Sequence, residues 1–383
     1  RTECTAWHLR VQAGGRLGMA GSVDPGLETL VDRALTGARS GPPFRLHLPV
    51  PSPLPNVRTH SRAAGVLGGR DLADLAASLA TRVDGPARNV AVWAERTMGR
   101  VEVANSRGVL AGYDRTLVGL GLRLTVPDAL PFHLHTANVD PPSLEQIERL
   151  VEETRFALHP VPVIDDLETG EYTIGLAPRA AAALAAGLDR LVAELSGGPA
   201  ATPLPPLSPL LNLTDDPLAD GRCGSRPIDD DGVVTRRVAL VREGRVVGWR
   251  CDLQTGEALG MPSTGHGARR PFSPPRVAPS NTVVEAGASD LTNLPARIGR
   301  GILVQVLPSP GTRRAAPHLA VSTPWAYRVE RGEVTGRFRR LTLKGGLLEW
   351  LGRVQAVGDR LQWSGAIASP ALVLEGITAG SRP

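Results

Sequence analysis

Residues 221–270 read GRCGSRPIDDDGVVTRRVALVREGRVVGWRCDLQTGEALGMPSTGHGARR. A glycine-rich segment leads into an acidic turn, Asp229, Asp230, Asp231 and Gly232. Two short apolar runs follow, 238–241 and 246–249, joined at Glu243 and Gly244, and they predict a β-hairpin. A polar segment then ends in the loop Ser263, Thr264, Gly265, His266, Gly267, Ala268, Arg269 and Arg270. Glycine on both sides of His266 lets this backbone come close to another chain. Asp229, Asp230, Asp231, Thr264, His266, Arg269 and Arg270 are therefore the candidate residues for lining a substrate path or a subunit seam. An ordinary glycine-rich surface turn is the other reading of the loop.

Working outward, proline-rich sequence at 203–217 marks a boundary. It divides the chain into an N-terminal domain (1–202), a linker (203–220) and a C-terminal domain (221–383). In the first part, residues 5–12 read as a strand with a Gly14-Gly15 turn behind it. Leu27, Leu30, Val31, Ala34, Leu35 and Ala38 recur at helical spacing, as do Leu72, Leu75, Ala76, Leu79 and Val83. Strands are expected at 89–93 and 100–105. Val118, Leu120, Leu122, Leu124 and Val126 alternate with Gly119, Gly121, Arg123 and Thr125, the period of a half-buried antiparallel strand. Ser143 with Gln146 three residues on predicts a capping box and a helix to about Leu158. Residues 172–176 make a short strand, and Pro178 opens a helix reaching Leu195. Beyond the hairpin, strands are expected at 282–285, 302–306, 326–329, 338–343 and 372–374, with 347–354 as the one helix of that half. The fold class is α+β: an N-terminal α/β domain with an antiparallel sheet and amphipathic helices, and a C-terminal, mostly β domain.

Composition narrows the function. The 383 residues are 42% hydrophobic and 21% charged, a globular balance. The net charge is +5, yet Lys344 is the only lysine among 43 basic residues, and the arginines are interleaved with 38 acids. Without a basic run or motif, no nucleic-acid partner is expected. Three cysteines, Cys4, Cys223 and Cys251, form neither a CxxC pair nor a complete disulfide set, which fits a reducing cytoplasm. No apolar run reaches membrane-spanning length, so no membrane partner is expected. His133 and His135 could share a strand face and a metal, or form a plain edge pair; no third ligand is near them in sequence.

In colinear order, ANSRG at 104–108, the GSRPIDDDG turn, the STGHGARR loop, RIGRGILV at 297–304 and LTLKGGLLEWLGRVQAVGD at 341–359 resemble the TldD/PmbA family of peptidases. The likeness covers nearly the whole chain. Relatives usually open with another helix and strand, so the resemblance implies that the N-terminal domain here lacks its first helix and strand. The family contains a zinc subunit, TldD, and a partner without the zinc motif, TldE or PmbA. In the zinc subunit the helix after the short strand carries HExxxH, two histidines for Zn²⁺ and a glutamate that activates water, with a cysteine near the C-terminus as a further ligand.

This sequence departs from that pattern. The corresponding helix, PRAAAALAAGLDRLVAEL at 178–195, puts Ala186, Gly187 and Leu191 near the ligand and base positions. The matching C-terminal stretch, 363–380, has no cysteine. The resemblance therefore implies a non-catalytic TldE-like subunit, with no cofactor of its own and zinc in a TldD-like HExxxH partner. The heterodimer would act on short or unfolded peptides, including modified ones in antibiotic biosynthesis. A peptidase with relocated ligands and a stand-alone peptide-binding module are the alternatives.

Overall fold

A computed structural model describes residues 3–23, 26–44, 47–83, 90–125, 131–195, 205–270, 273–308, 319–323 and 325–381. β1 (Trp7–Ala13) and β2 (Arg16–Ser22) form an antiparallel hairpin turned by Gly14 and Gly15. α1 (Leu27–Ser40) lies on it through Leu30, Ala34 and Ala38. Leu27, Val31 and Leu35, the other half of its apolar pattern, stay exposed. α2 (Arg62–Gly65) is a single turn capped by Ser61, and α3 (Gly69–Val83) buries Leu79 and Val83.

β3 (Val90–Ala104), β4 (Leu110–Leu124) and β5 (Phe132–Asn138) make a three-stranded antiparallel sheet in that order. Sequence reading divides β3 into two strands. The structure runs them together, because β4 pairs with all 15 residues of β3. Val118, Leu120, Leu122 and Leu124 are fully buried, as their alternation requires. α4 (Leu144–Leu158) starts at the expected capping box: Gln146 N donates to Ser143 Oγ (3.3 Å) and Ser143 N to Gln146 Oε1 (3.0 Å). Its Ile147, Leu150 and Val151 join Leu79 and the β4 leucines in one core. β6 (Val163–Ile164), β7 (Gly170–Leu176) and α5 (Pro178–Leu195) follow.

The remainder is built mainly of strands: β8 (Leu213–Asp215), β9 (Val238–Arg242), β10 (Arg245–Val246), then α6 (Leu253–Leu259), β11 (Gly267–Arg270), β12 (Ser273–Val277) and β13 (Thr282–Val284). After α7 (Leu294–Ile298) come β14 (Gly301–Val304), β15 (Leu319–Thr323), β16 (Ala326–Glu330), β17 (Glu333–Phe338) and β18 (Leu341–Gly345). α8 (Leu347–Gly352), β19 (Val354–Val357), β20 (Gln362–Ser364), β21 (Ile367–Ser369) and β22 (Leu372–Gly380) complete the chain. One sheet runs β10-β9-β8-β13-β21-β20; the larger runs β15-β18-β22-β7-β14-β16-β17-β6, with β19 also on β22. Ile174, Leu213, Leu240, Val304, Leu343 and Leu374 from both sheets share a core with Leu184, Leu188 and Leu191 of α5.

Several expectations change. β7 and α5 precede the proline-rich stretch, yet β7 is hydrogen-bonded between β22 and β14, inside the C-terminal sheet. The stretch at 203–220 is more than a spacer over its described residues, since it contains the buried strand β8. The C-terminal part holds three helices among its described residues, not one. α6 and α7 are short helices that Asp252 and Asn293 nucleate by side-chain capping, with too few turns for apolar periodicity to register. The strand expected at 338–343 breaks into β17 and β18. Among the described residues no helix is long and apolar enough to cross a membrane.

Candidate functional site

The acidic turn and the STGHGARR loop meet. Asp229 is fully buried and works as a backbone template: Oδ1 accepts from the N–H groups of Asp231 (2.9 Å) and Val233 (2.9 Å), and Oδ2 from Gly267 N (2.7 Å). Asp230 Oδ2 accepts from Arg269 N at 2.7 Å, while Asp230 N donates to Gly267 O at 3.2 Å. The two turns are thus laced together by main-chain bonds. Gly267 is required there, because a Cβ would sit 2.9 Å from Asp231 Cγ. Gly265 has φ 74°, and its Cβ would fall 2.6 Å from Thr235 Cα, so neither the conformation nor the space admits a side chain.

Asp231 ties in a third element. Its Oδ1 accepts from Arg10 Nη2 at 2.9 Å and from both Nε (3.1 Å) and Nη2 of Arg269. Its Oδ2 accepts from Leu253 N, in the first turn of α6, at 3.1 Å. Two guanidinium groups therefore converge on one carboxylate oxygen. Burial and the neighbouring Asp231 push the Asp229 carboxyl up to about 7, against the pull of its backbone donors. Burial lowers the Arg10 guanidinium, opposed by Asp231 and reinforced by Arg269.

Thr264 and His266 face away into a second buried cluster. Thr264 Oγ1 accepts from Cys251 N at 2.7 Å and lies 2.9 Å from His266 Nδ1. His266 Nε2 stands 3.2 Å from Asp215 Oδ1. Arg250 reaches Asp215 through Nε and Asp189 through Nη2, and Ser280 N adds a bond to Asp215 at 3.0 Å. Burial alone would raise the Asp215 carboxyl, but His266 and Arg250 hold it well below the usual carboxylate range. Burial lowers the Arg250 guanidinium, but Asp215 and Asp189 raise it above its ordinary value.

Of the seven candidates, Asp229, Asp231, Thr264 and His266 are buried, and Asp230 is half-buried. Arg269 and Asp231 border a cleft of about 730 Å³ between β1, the residue 103–107 turn and His47. Arg270 closes β11, and its side chain lies outside the described set. The ANSRG turn forms one wall: Asn105 Oδ1 accepts from Arg107 N (2.9 Å) and Val109 N (3.1 Å). Sequence reasoning missed Arg10, Asp189, Asp215 and Arg250. Arg10 had a readable signal, since period-two alternation puts His8, Arg10 and Gln12 on one face of β1. The others had none, because their partners are distant in sequence.

The positions matching the zinc helix are occupied by residues without metal-binding side chains. Leu191 is 5% exposed in the core, and Ala186 and Gly187 lie on the same helix. His133 and His135 both point outward from β5. Among the described residues no group of three or more His, Cys, Asp or Glu could hold a metal ion. The described residues of α5 near those positions therefore do not fit the family's zinc.

Two β-sheets that share a core with one long helix, α5, belong to a fold found in solved structures. TldE from Thermococcus kodakarensis superposes with a TM-score of 0.80 over 97% of this chain and 88% of that one, at 21% identity. A protein of Thermotoga maritima described as a putative modulator of DNA gyrase gives 0.81 over 98% and 89%, at 18% identity. Residues 205–381 match the model of the PmbA/TldA metallopeptidase C-terminal domain. A metalloprotease TldD homolog of Haemophilus influenzae is 29% identical over 154 residues, 40% of this chain and 32% of the relative. A metalloprotease of Synechocystis is 27% identical over 156 residues, 40% and 33% respectively. The matched part spans about a third of these relatives' length. Together these matches support a member of the TldD/PmbA family, with the family model covering residues 205–381.

Proposed function

We propose that this chain is the non-catalytic, TldE-like subunit of a heterodimeric zinc metallopeptidase of the cytoplasm. It completes the path by which a zinc-bearing, TldD-like partner receives short or unfolded peptides, including modified biosynthetic ones. The observation that carries this reading is α5. At the positions of the family's HExxxH stand Ala186, Gly187 and Leu191, which offer no lone pair to a metal and move no proton. The helix keeps its scaffold role instead, burying Leu184, Leu188 and Leu191 against both sheets. Substrate handling is then left to clefts and strand edges. The outer strands of the three-stranded sheet, β3 and β5, could take an extended peptide by main-chain pairing, which is tolerant of sequence.

The test is co-expression with a family member that carries HExxxH. A stable pair is expected, with an interface on the order of 2,000 Å² or more. Zinc should travel with the partner, and peptide hydrolysis should need both chains. About one zinc per molecule in the isolated chain, lost together with activity on chelation, would overturn the reading.

A further inference from the structure

We propose that the cleft walled by Arg10, Arg107 and Arg269 is a carboxylate-recognition subsite for the peptide. The inference rests on the peptide-handling reading above and assigns the chemistry of one end of that site. Among the described charged side chains lining the cleft, three guanidinium groups face one carboxylate, Asp231. That carboxylate is already committed. Its side chain is fully buried, Oδ1 is shared by Arg10 and Arg269, and Oδ2 is bonded to Leu253 N. Asp252 and Asp229 also act on Arg10 from nearby, so what the cleft offers a ligand is unmet N–H donors rather than net charge.

Unmet donors are found at Arg10. Its side chain is 2% exposed and spends Nη2 on Asp231, while Nε and Nη1 meet no acceptor among the described residues. Arg107 and Arg269 supply the reachable donors. Arg107 is exposed on its turn and uses Nη1 on Leu48 O at 3.2 Å, leaving the other N–H groups of its fork available. Arginine forks match a carboxylate with two parallel bonds, so the arrangement suits a carboxylate better than a neutral amide. A volume of about 730 Å³ admits several residues of a peptide.

Two sources present this group, a peptide C-terminus and an acidic side chain, and the experiment separates them. Three fluorescein-labelled hexapeptides of neutral sequence are titrated with the full chain by anisotropy. One has a free C-terminus, one is amidated, and one is amidated with a single internal glutamate. At least tenfold tighter binding of either carboxylate-bearing peptide over the neutral amide is expected, and the tighter of the two names the source. Arg107→Gln and Arg269→Gln should each remove most of that preference while the amidated peptide binds as before. Arg107 is exposed, so its variant keeps the test valid even if Arg269→Gln fails to fold. Equal affinity for all three peptides, or a preference untouched by Arg107→Gln in the folded chain, would overturn the carboxylate site and leave peptide handling standing. No measurable binding of any peptide would overturn the carboxylate site, while the heterodimer reading stands or falls on the co-expression test.

Discussion

Two buried ion clusters lie on opposite sides of the STGHGARR loop, and they are built to different specifications. Around Arg250, Asp215 and Asp189 contact the guanidinium, Thr282 bridges to Asp189, and Ser280 and His266 crowd Asp215. Around Asp231, two arginines share one oxygen and Arg10 keeps two buried nitrogens without an acceptor among the described residues. The first cluster borders the main β core; the second borders a cleft. In the first, each guanidinium nitrogen that contacts a carboxylate has its own acceptor, whereas in the second, beside open space, donors on Arg10 stay unmet.

The sharpest test of that contrast is Arg250→Ala. It strands two buried carboxylates, so a loss of about 3–5 kcal/mol is expected in urea unfolding. A loss below about 1 kcal/mol would show that the network is not the keystone claimed. Gly265→Ala should come next, at about 2–3 kcal/mol, because it combines a left-handed φ with a backbone clash. A variant as stable as the parent would mean that the loop moves freely on Thr235.

A smaller, pH-dependent effect separates the clusters by sign. Asp229 has a folded value raised to about 7 over an unfolded 3.8. Its share of stability is therefore present at low pH and is lost as pH rises through 7. Between pH 6 and 8 this amounts to about 1.4 kcal/mol of declining stability. Asp215, held low, acts in the opposite sense: its share of stability is present above its unfolded 3.8 and is lost as pH falls through its depressed folded value. Asp229→Asn should flatten the pH 6–8 slope; an unchanged slope would assign it elsewhere. The smallest effect is expected for Arg10→Met, under about 1 kcal/mol. It removes an ion pair but also an incompletely bonded buried cation. A loss as large as that of Arg250→Ala would erase the distinction between the two clusters.

Much of the fold is readable from local pattern. β1, α1, α4, α5 and the Asn105 turn fall close to where alternation, helical spacing and capping put them. The breaks come where pairing overrides local composition. β3 continues through Glu95, Arg96 and Thr97 because β4 runs beside it without interruption. α6 and α7 exist because Asp252 and Asn293 cap them, not because they carry an apolar stripe. At the candidate site, the acidic turn and the glycine-bracketed loop are legible as motifs. That Thr264 and His266 turn inward while Arg269 turns toward a cleft is not.

By itself, the sequence determined the elements whose signals span a few residues: the hairpin glycines, the capping box, the run of buried leucines on β4, and the helix at 178–195. Those follow from backbone sterics, side-chain periodicity and donor chemistry, which act within one turn or one strand. Tertiary structure alone decided which charges meet. Arg10 and Asp231 are 221 residues apart, and Arg250 and Asp189 are 61 apart. No local rule pairs them, because a buried ion pair forms only where independently folded elements bring two desolvated groups together. The same packing decided that β7 enters the C-terminal sheet, where its hydrogen bonds and apolar side chains find partners on both sides.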